Sequence, residues 1–343
     1  MKNTELHLIG KNKFEIRENE KNFEVSDKEV LIKVKACGVC GTDLTYAKVS
    51  NHDVNNSIVL GHEFVGVIEK AGKEVKNVSV GDKVVVDASV TCGKCEHCIK
   101  GEQNFCSNTK SYGYPPYDGG YQERIVFPAD FCYKLNEKTD MVSAVMVEPL
   151  AVCLHAFNLS KFKLGMDVAI LGAGPIGLSL IKLLRMSGAN KIFVAEPVKE
   201  RIEIAKELGA DFVVNPYEED FMEVVSKNTQ GQGVDRVFEA SGNDDSMAMT
   251  TKVAKSGAEL VMIGIPKGNE FNISHPEARK KGVTIKMVRR LNHTIPLALK
   301  MIEDGFDVSK IVTHEFALKD MVEAFGLIQS YQDGIIKAAV TME

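Results

Sequence analysis

Short β-branched runs broken by glycine dominate the first part of the chain. Residues 30–36 (VLIKVKA), 58–60, 64–69 and 83–86 have the texture of half-buried strands, and Gly61, Gly72 and Gly81-Asp82 interrupt them. The pattern holds to about residue 155 and predicts an all-β, barrel-like domain with long loops. After about Asn158 the texture changes. Residues 168–171 read as a short buried strand, and 176–186 as a helix with apolar positions at helical spacing. Strand-like runs at 191–195, 211–215, 234–239, 259–264 and 283–288 then alternate with helical runs at 199–208, 220–228 and 245–255. Six strands with intervening helices predict a doubly wound parallel sheet. From Asn292 the pattern shifts to a helix at 295–303 and a strand-like ending at 334–341. The expected organisation is α/β plus β, with domains at 1–157 and 158–291 and a tail, 292–343, that returns to the first domain.

A length of 343 residues suits about two domains, and 44% hydrophobic with 26% charged residues marks a globular chain. Lys and Arg number 42 against 47 Asp and Glu, so the chain lacks the cationic excess of a sequence-independent nucleic-acid binder. The opening MKNTELHLIGKNKFEIRENE has no apolar core of a signal peptide, and the longest apolar stretch, 168–181, is short and glycine-rich. No membrane or nucleic-acid partner is therefore expected, and the expected location is cytoplasmic. In a reducing compartment clustered cysteines point to metal or chemistry before disulfides. Five of the eight cysteines fall in two such clusters, and Cys37, Cys132 and Cys153 read as small buried side chains.

Gly172-Ala173-Gly174-Pro175-Ile176-Gly177 follows one predicted strand and opens a helix. Gly172 allows a tight turn, Gly174 lets the backbone approach a pyrophosphate, and Gly177 lets helix and strand pack closely. The helix N-terminus offers unpaired N–H groups and the positive end of its dipole, and Pro175 costs little there. Glu196 ends the next strand, 24 residues after Gly172. A carboxylate there accepts from ribose hydroxyls and repels a ribose phosphate, so NAD is expected over NADP, with Lys199 and Arg201 as a partial offset. The alternative reading is a structural turn with a solvated carboxylate.

Cys92, Cys95, Cys98 and Cys106 form C-x2-C-x2-C-x7-C. Four thiolates in a short loop can close a tetrahedron around zinc, the composition of a structural site. Chance spacing, two disulfides or iron–sulfur ligation are the alternatives. Lys94 and Lys100 can offset the charge, and His97 is expected to be exposed. Cys40, His62, Glu63 and Glu148 are scattered polar residues by spacing alone. Together they offer thiolate, imidazole and carboxylate, the mixture a three-ligand catalytic zinc uses.

CGVCGTD around Cys40, GHE around His62, the four-cysteine loop, the DGG turn at 118–120, EPLAV at Glu148 and GAGPIG resemble the zinc-dependent medium-chain dehydrogenases across nearly the whole length. ADFCYKL (129–135) and KIVTHEF (310–316) resemble the sorbitol dehydrogenase branch. The resemblance implies a GroES-like catalytic domain, a Rossmann domain, two zinc ions per chain, NAD and a homodimer or homotetramer. It implies Cys40 and His62 as zinc ligands, with Glu63 and Glu148 where the remaining ligand arises, directly or through water. Asp43 would fix the His62 tautomer and Thr42 would accept the substrate proton. Ile176, Glu196, Arg201 and Ile263-Gly264-Ile265 would contact NAD, and Tyr46 and Arg290 would line a polyol site. Two positions depart from the pattern. Thr45 stands where many relatives carry a relay histidine, leaving water or His52 as substitutes, and Leu291 replaces an aromatic residue. The implied reaction is reversible oxidation of a secondary alcohol of a polyol. L-threonine 3-dehydrogenase and butanediol dehydrogenase are the nearest alternatives, and a non-catalytic NAD-binding scaffold is the alternative of another class.

Overall fold

Glu29–Gly38 is the spine of the first half of the molecule. The structure, a computed structural model, describes residues 1–330 and 332–342. Glu29–Gly38 pairs antiparallel with Glu63–Ala71, with Arg124–Pro128 and with Lys337–Thr341. Lys83–Val86 and Cys132–Lys134 extend one side of this seven-stranded sheet, and Val312–Ala317 extends the other, parallel to Lys337–Thr341. A second sheet joins the hairpin Lys2–Gly10 and Lys13–Glu20 to Ile58–Val59. Their inward faces share one core, in which Phe64 and Phe127 meet edge to face at 5.5 Å. This is the GroES-like architecture.

The second half is a six-stranded, all-parallel sheet in the order Phe212–Val214, Ile192–Ala195, Val168–Leu171, Val234–Glu239, Ala254–Met262, Thr284–Met287. By chain order this is 3-2-1-4-5-6, the doubly wound Rossmann arrangement. Every residue of Val168–Leu171 and Ile192–Ala195 is buried, as helices on both faces of a parallel sheet require. Several boundaries shift from the sequence reading, most of all around residue 254. The helix expected at 245–255 is Asp244–Val253, because Ala254 turns extended (φ −69°, ψ 141°) and pairs with Val234, starting a strand well before Glu259. That strand ends at Met262, so Ile263 and Gly264 lie beyond it.

The chain divides into two compact units, Met1–Ala151 with Asn292–Glu343, and Val152–Leu291. The division falls inside the helix Val147–Ser160. The apolar helical segment Met141–Ser160 is long enough to cross a bilayer, yet 61% of its most apolar stretch is buried within the protein, as in a core helix.

Candidate metal centre and dinucleotide loop

Cys40 caps the helix Gly41–Val49. Its sulfur accepts from Thr42 N (3.5 Å), and its own N–H donates to Asp43 Oδ2 at 3.0 Å, completing a capping box. The chain turn that begins this helix therefore holds the thiol in place. His62 and Glu63 arrive on the adjacent strand edge, Glu63 opening Glu63–Ala71. The ligand atoms of Cys40, His62 and Glu63 all lie within 4.8 Å of one another. Thr42 Oγ1 stands 3.4 Å from the Cys40 sulfur.

Asp43 is fully buried, and its Oδ1 faces His62 Nδ1 at 3.4 Å. Neither atom makes an aligned hydrogen bond, so the contact is electrostatic. Asp43 Oδ2 also accepts from the Tyr121 hydroxyl at 2.9 Å. Burial opposes ionisation of Asp43, but the His62 charge and these donors overcome it and hold the carboxyl below its usual range. Burial likewise opposes protonation of His62, and the charges of Asp43 and Cys40 beside it reverse that, holding the ring above the usual imidazole value.

Glu63 is buried and ion-paired with Lys337, itself 3% exposed. Glu148 opens the first turn of Val147–Ser160. It is not in the 4.8 Å group, but it responds to the charges of His62 and Glu63, and burial pushes it up to about 7. Thr45 donates its hydroxyl to the carbonyl of Gly41 at 3.0 Å. His52 instead meets the Tyr46 hydroxyl with Nε2 at 2.9 Å, while Nδ1 lies 2.6 Å from the carbonyl of Asn56. A carbonyl accepts only, so Nδ1 carries the proton and Nε2 receives the Tyr46 hydrogen.

The four-cysteine loop closes as its spacing suggests. The sulfurs of Cys92, Cys95, Cys98 and Cys106 lie within 4.8 Å of one another, and Cys92 and Cys106 are 3.6 Å apart. A tetrahedron with Zn–S of about 2.3 Å has sulfur–sulfur edges of about 3.8 Å, whereas a disulfide is about 2.05 Å. None of Cys92, Cys95, Cys98 and Cys106 is joined in a disulfide, so the sulfur tetrad favours a metal over the disulfide alternative. The N–H of Lys94 draws the Cys92 thiol down to about 6, while burial pushes the Cys98 thiol up to about 11. His97 is half-exposed, pairs with Glu102 and stays outside the group.

In the second unit Gly172 has φ 98°, and a Cβ on it would meet Ser241 at 2.8 Å. A Cβ on Gly177 would lie 2.0 Å from the Gly172 carbonyl oxygen. Gly174 differs: the nearest atom to its would-be Cβ is Arg201 Nη1, at 3.9 Å. Gly174 caps the helix Pro175–Met186, whose first N–H groups receive no side-chain cap. The result is an open cradle of donors with a guanidinium beside it, the donor set a pyrophosphate fits. Ile176 occupies the first turn of that helix. Glu196 is buried and accepts from Ala173 N at 2.6 Å and Val198 N at 3.0 Å, fixing its carboxylate against the glycine loop. Ile263 and Gly264 both donate to the Glu239 carbonyl, and Ile265 is exposed. Arg290 belongs to this unit and Tyr46 to the other, and Arg290 takes a left-handed backbone conformation (φ 57°).

Four residues that sequence reading passed over belong to these sites: Tyr114, Tyr121, Glu239 and Lys337. Glu239 is fully buried, and its carboxylate accepts from Ser241, Gly242 and Ser246. Only Lys337 left a signal, a lone cation in the apolar run IIKAAV.

The family described as alcohol dehydrogenase GroES-like domain matches residues 26–137, and that described as zinc-binding dehydrogenase matches 175–304. Sorbitol dehydrogenase of Bacillus subtilis is 31% identical over 321 residues, 92% of this chain and 91% of its own length. An oxidoreductase/dehydrogenase of unknown specificity from Escherichia coli superposes over 100% of both chains with a TM-score of 0.94 at 31% identity. An alcohol dehydrogenase of Escherichia coli CFT073 solved with NADH covers 99% of both chains with a TM-score of 0.91 at 28% identity. The chain belongs to the zinc-dependent medium-chain alcohol and polyol dehydrogenases. It is thereby an oxidoreductase of alcohols whose cofactors are zinc and a nicotinamide dinucleotide.

Proposed function

We propose that the protein oxidises a secondary alcohol of a polyol reversibly to the ketone, with NAD as hydride acceptor. The observation that carries this reading is the convergence of Cys40, His62 and Glu63 beside the Thr42 hydroxyl. Cys40 and His62 would hold the zinc, with oxygen from Glu63 or Glu148. Zinc held there acidifies a substrate hydroxyl. Asp43 keeps Nδ1 of His62 engaged, so the ring presents its other nitrogen as ligand. Thr42 would accept the hydroxyl proton while passing its own outward through the nicotinamide ribose, and bound NAD would supply the acceptor for the hydride of the carbinol C–H. Proton and hydride together account for the two electrons and two hydrogens lost by the alcohol. Tyr46 and Arg290 are proposed to line the substrate site.

Gly172, Gly174, Ile176, Gly177, Arg201 and residues 263–265 are proposed to hold the dinucleotide. The buried carboxylate of Glu196 supports NAD over NADP, since a ribose phosphate would meet its charge. Cys92, Cys95, Cys98 and Cys106 are proposed to hold a second, structural zinc. A cytoplasmic location is proposed from the clustering of cysteines into two candidate metal sites. A homodimer or homotetramer is proposed from the family resemblance, and light scattering decides it.

The test is NADH absorbance with zinc-loaded protein, NAD and a panel of sorbitol, xylitol, butane-2,3-diol and L-threonine. Turnover is expected with a polyol. No NADH from any compound contradicts the proposal.

A further inference from the structure

Tyr114 sits on a tight turn in which Tyr117 N donates to the Tyr114 carbonyl at 2.8 Å and Gly113 N donates to that of Tyr117 at 2.9 Å. The turn is wedged against the segment carrying His62: a Cβ on Gly113 would lie 2.8 Å from the Gly61 carbonyl oxygen. The Tyr114 ring therefore has little freedom. It lies 5.5 Å from the His62 ring and meets Tyr46 edge-on at 5.7 Å, with the Thr42 side chain beside its oxygen.

The two phenols differ in one respect. The Tyr46 hydroxyl is committed to His52 at 2.9 Å. The Tyr114 hydroxyl is buried and, with the Thr42 side chain beside it, makes no aligned hydrogen bond to any described residue. A buried phenol without a partner is costly, and it persists where a ligand supplies the partner. Thr42, His62 and Tyr114 adjoin, and their polar atoms face one site.

We propose that the Tyr114 hydroxyl binds a second hydroxyl of the substrate, on the carbon adjacent to the one oxidised, so that the substrate class is a neutral vicinal diol or polyol. This rests on the dehydrogenase reading above. The ionisable groups acting on Tyr114 include His62, Asp43 and Cys40. Asp43 is an anion, and Cys40 becomes one when it ligates a metal. A neutral hydroxyl suits that surrounding better than a carboxylate does. A site built to hydrogen-bond a hydroxyl rejects an analogue that lacks it, because its own polar group is then left unpaired.

Butane-2,3-diol and butan-2-ol differ by that one hydroxyl, and they serve as probes with zinc-loaded protein and NAD. Wild-type protein should prefer the diol by about tenfold or more in kcat/KM. Tyr114→Phe keeps the ring and should lower the kcat/KM ratio of the diol to butan-2-ol about tenfold, with zinc content measured alongside. Calorimetric binding of the diol to the NADH-saturated protein, where no turnover occurs, should weaken by a similar factor. An equal fall for both alcohols, or no change for either, overturns the Tyr114 assignment alone. If Tyr114→Phe does not fold, a wild-type protein with no preference for the diol overturns it equally. Failure of wild-type protein to oxidise any alcohol overturns the dehydrogenase reading itself, and this inference with it.

Discussion

Lys337 and Glu63, 274 positions apart in the chain, form an ion pair in which each side chain is 2% exposed. Burial opposes the charge on Lys337, and Glu63 reverses that, holding the ammonium above its usual value. Removing one partner leaves the other charged, buried and unpaired. Lys337→Met should therefore lower the unfolding free energy by about 3–5 kcal/mol. Adding Glu63→Gln should recover most of the loss. Denaturant unfolding of both variants measures it, and an unchanged midpoint in Lys337→Met would show that the pair is slack.

The glycine loop separates a packing role from a binding role. Gly177→Ala places a methyl 2.0 Å from a carbonyl oxygen, so the helix must move off the strand, at a cost of about 1–3 kcal/mol. Gly174→Ala meets no atom closer than 3.9 Å and should leave the melting temperature nearly unchanged. Its methyl points into the open cradle, so NADH affinity should fall about tenfold or more. Melting curves and NADH fluorescence titrations of the two variants should show opposite patterns.

Acid stability should report Glu5, which is absent from both groups of candidate metal ligands. Burial alone would raise its pKa, but His7, Lys21, Asn19 and Asn3 reverse that and hold it near 2. Its pKa is lower folded than unfolded, so its stabilisation is complete above about pH 4.5 and is lost as pH falls toward 2. Glu5→Gln should cost on the order of 2 kcal/mol at pH 7, and the gap from wild type should shrink between pH 4.5 and 2. A gap independent of pH would contradict this.

The two metal centres should fail differently. Cys95→Ser removes one of four sulfurs from a closed shell, so it should lose one zinc per chain and lower thermal stability. Glu148→Ala should abolish turnover while the fold and melting temperature persist. Retention of near-normal kcat in Glu148→Ala would mean that Glu63 alone supplies the oxygen ligand.

The sequence pattern revealed what periodicity encodes and hid what distance encodes. Val168–Leu171 and Pro175–Met186 were legible because a fully buried strand feeding a glycine loop leaves a dense apolar signature. The hairpin Lys2–Gly10 and Lys13–Glu20 was not, since runs such as KFEIRENE carry charges along an edge strand that is only partly buried. The helix Gly41–Val49 was hidden because its cap is a cysteine, outside the usual capping residues. Cys40, His62 and the four-cysteine loop announced themselves by residue type and motif. The residues that make the first cluster a site, Tyr114, Tyr121 and Lys337, reach it from segments up to hundreds of residues away. No local pattern encodes such contacts. The sequence offers His52 as a substitute relay, and its 2.9 Å bond to Tyr46 ties it to the site.

Zinc per chain, measured by elemental analysis on wild-type protein and Cys40→Ala, tests the central claim most directly. The account predicts two zinc ions in the wild type and one in Cys40→Ala, with NADH formation lost in the variant. A wild type with one zinc, held undiminished by Cys40→Ala, would contradict it and leave a nucleotide-binding scaffold with a single structural metal.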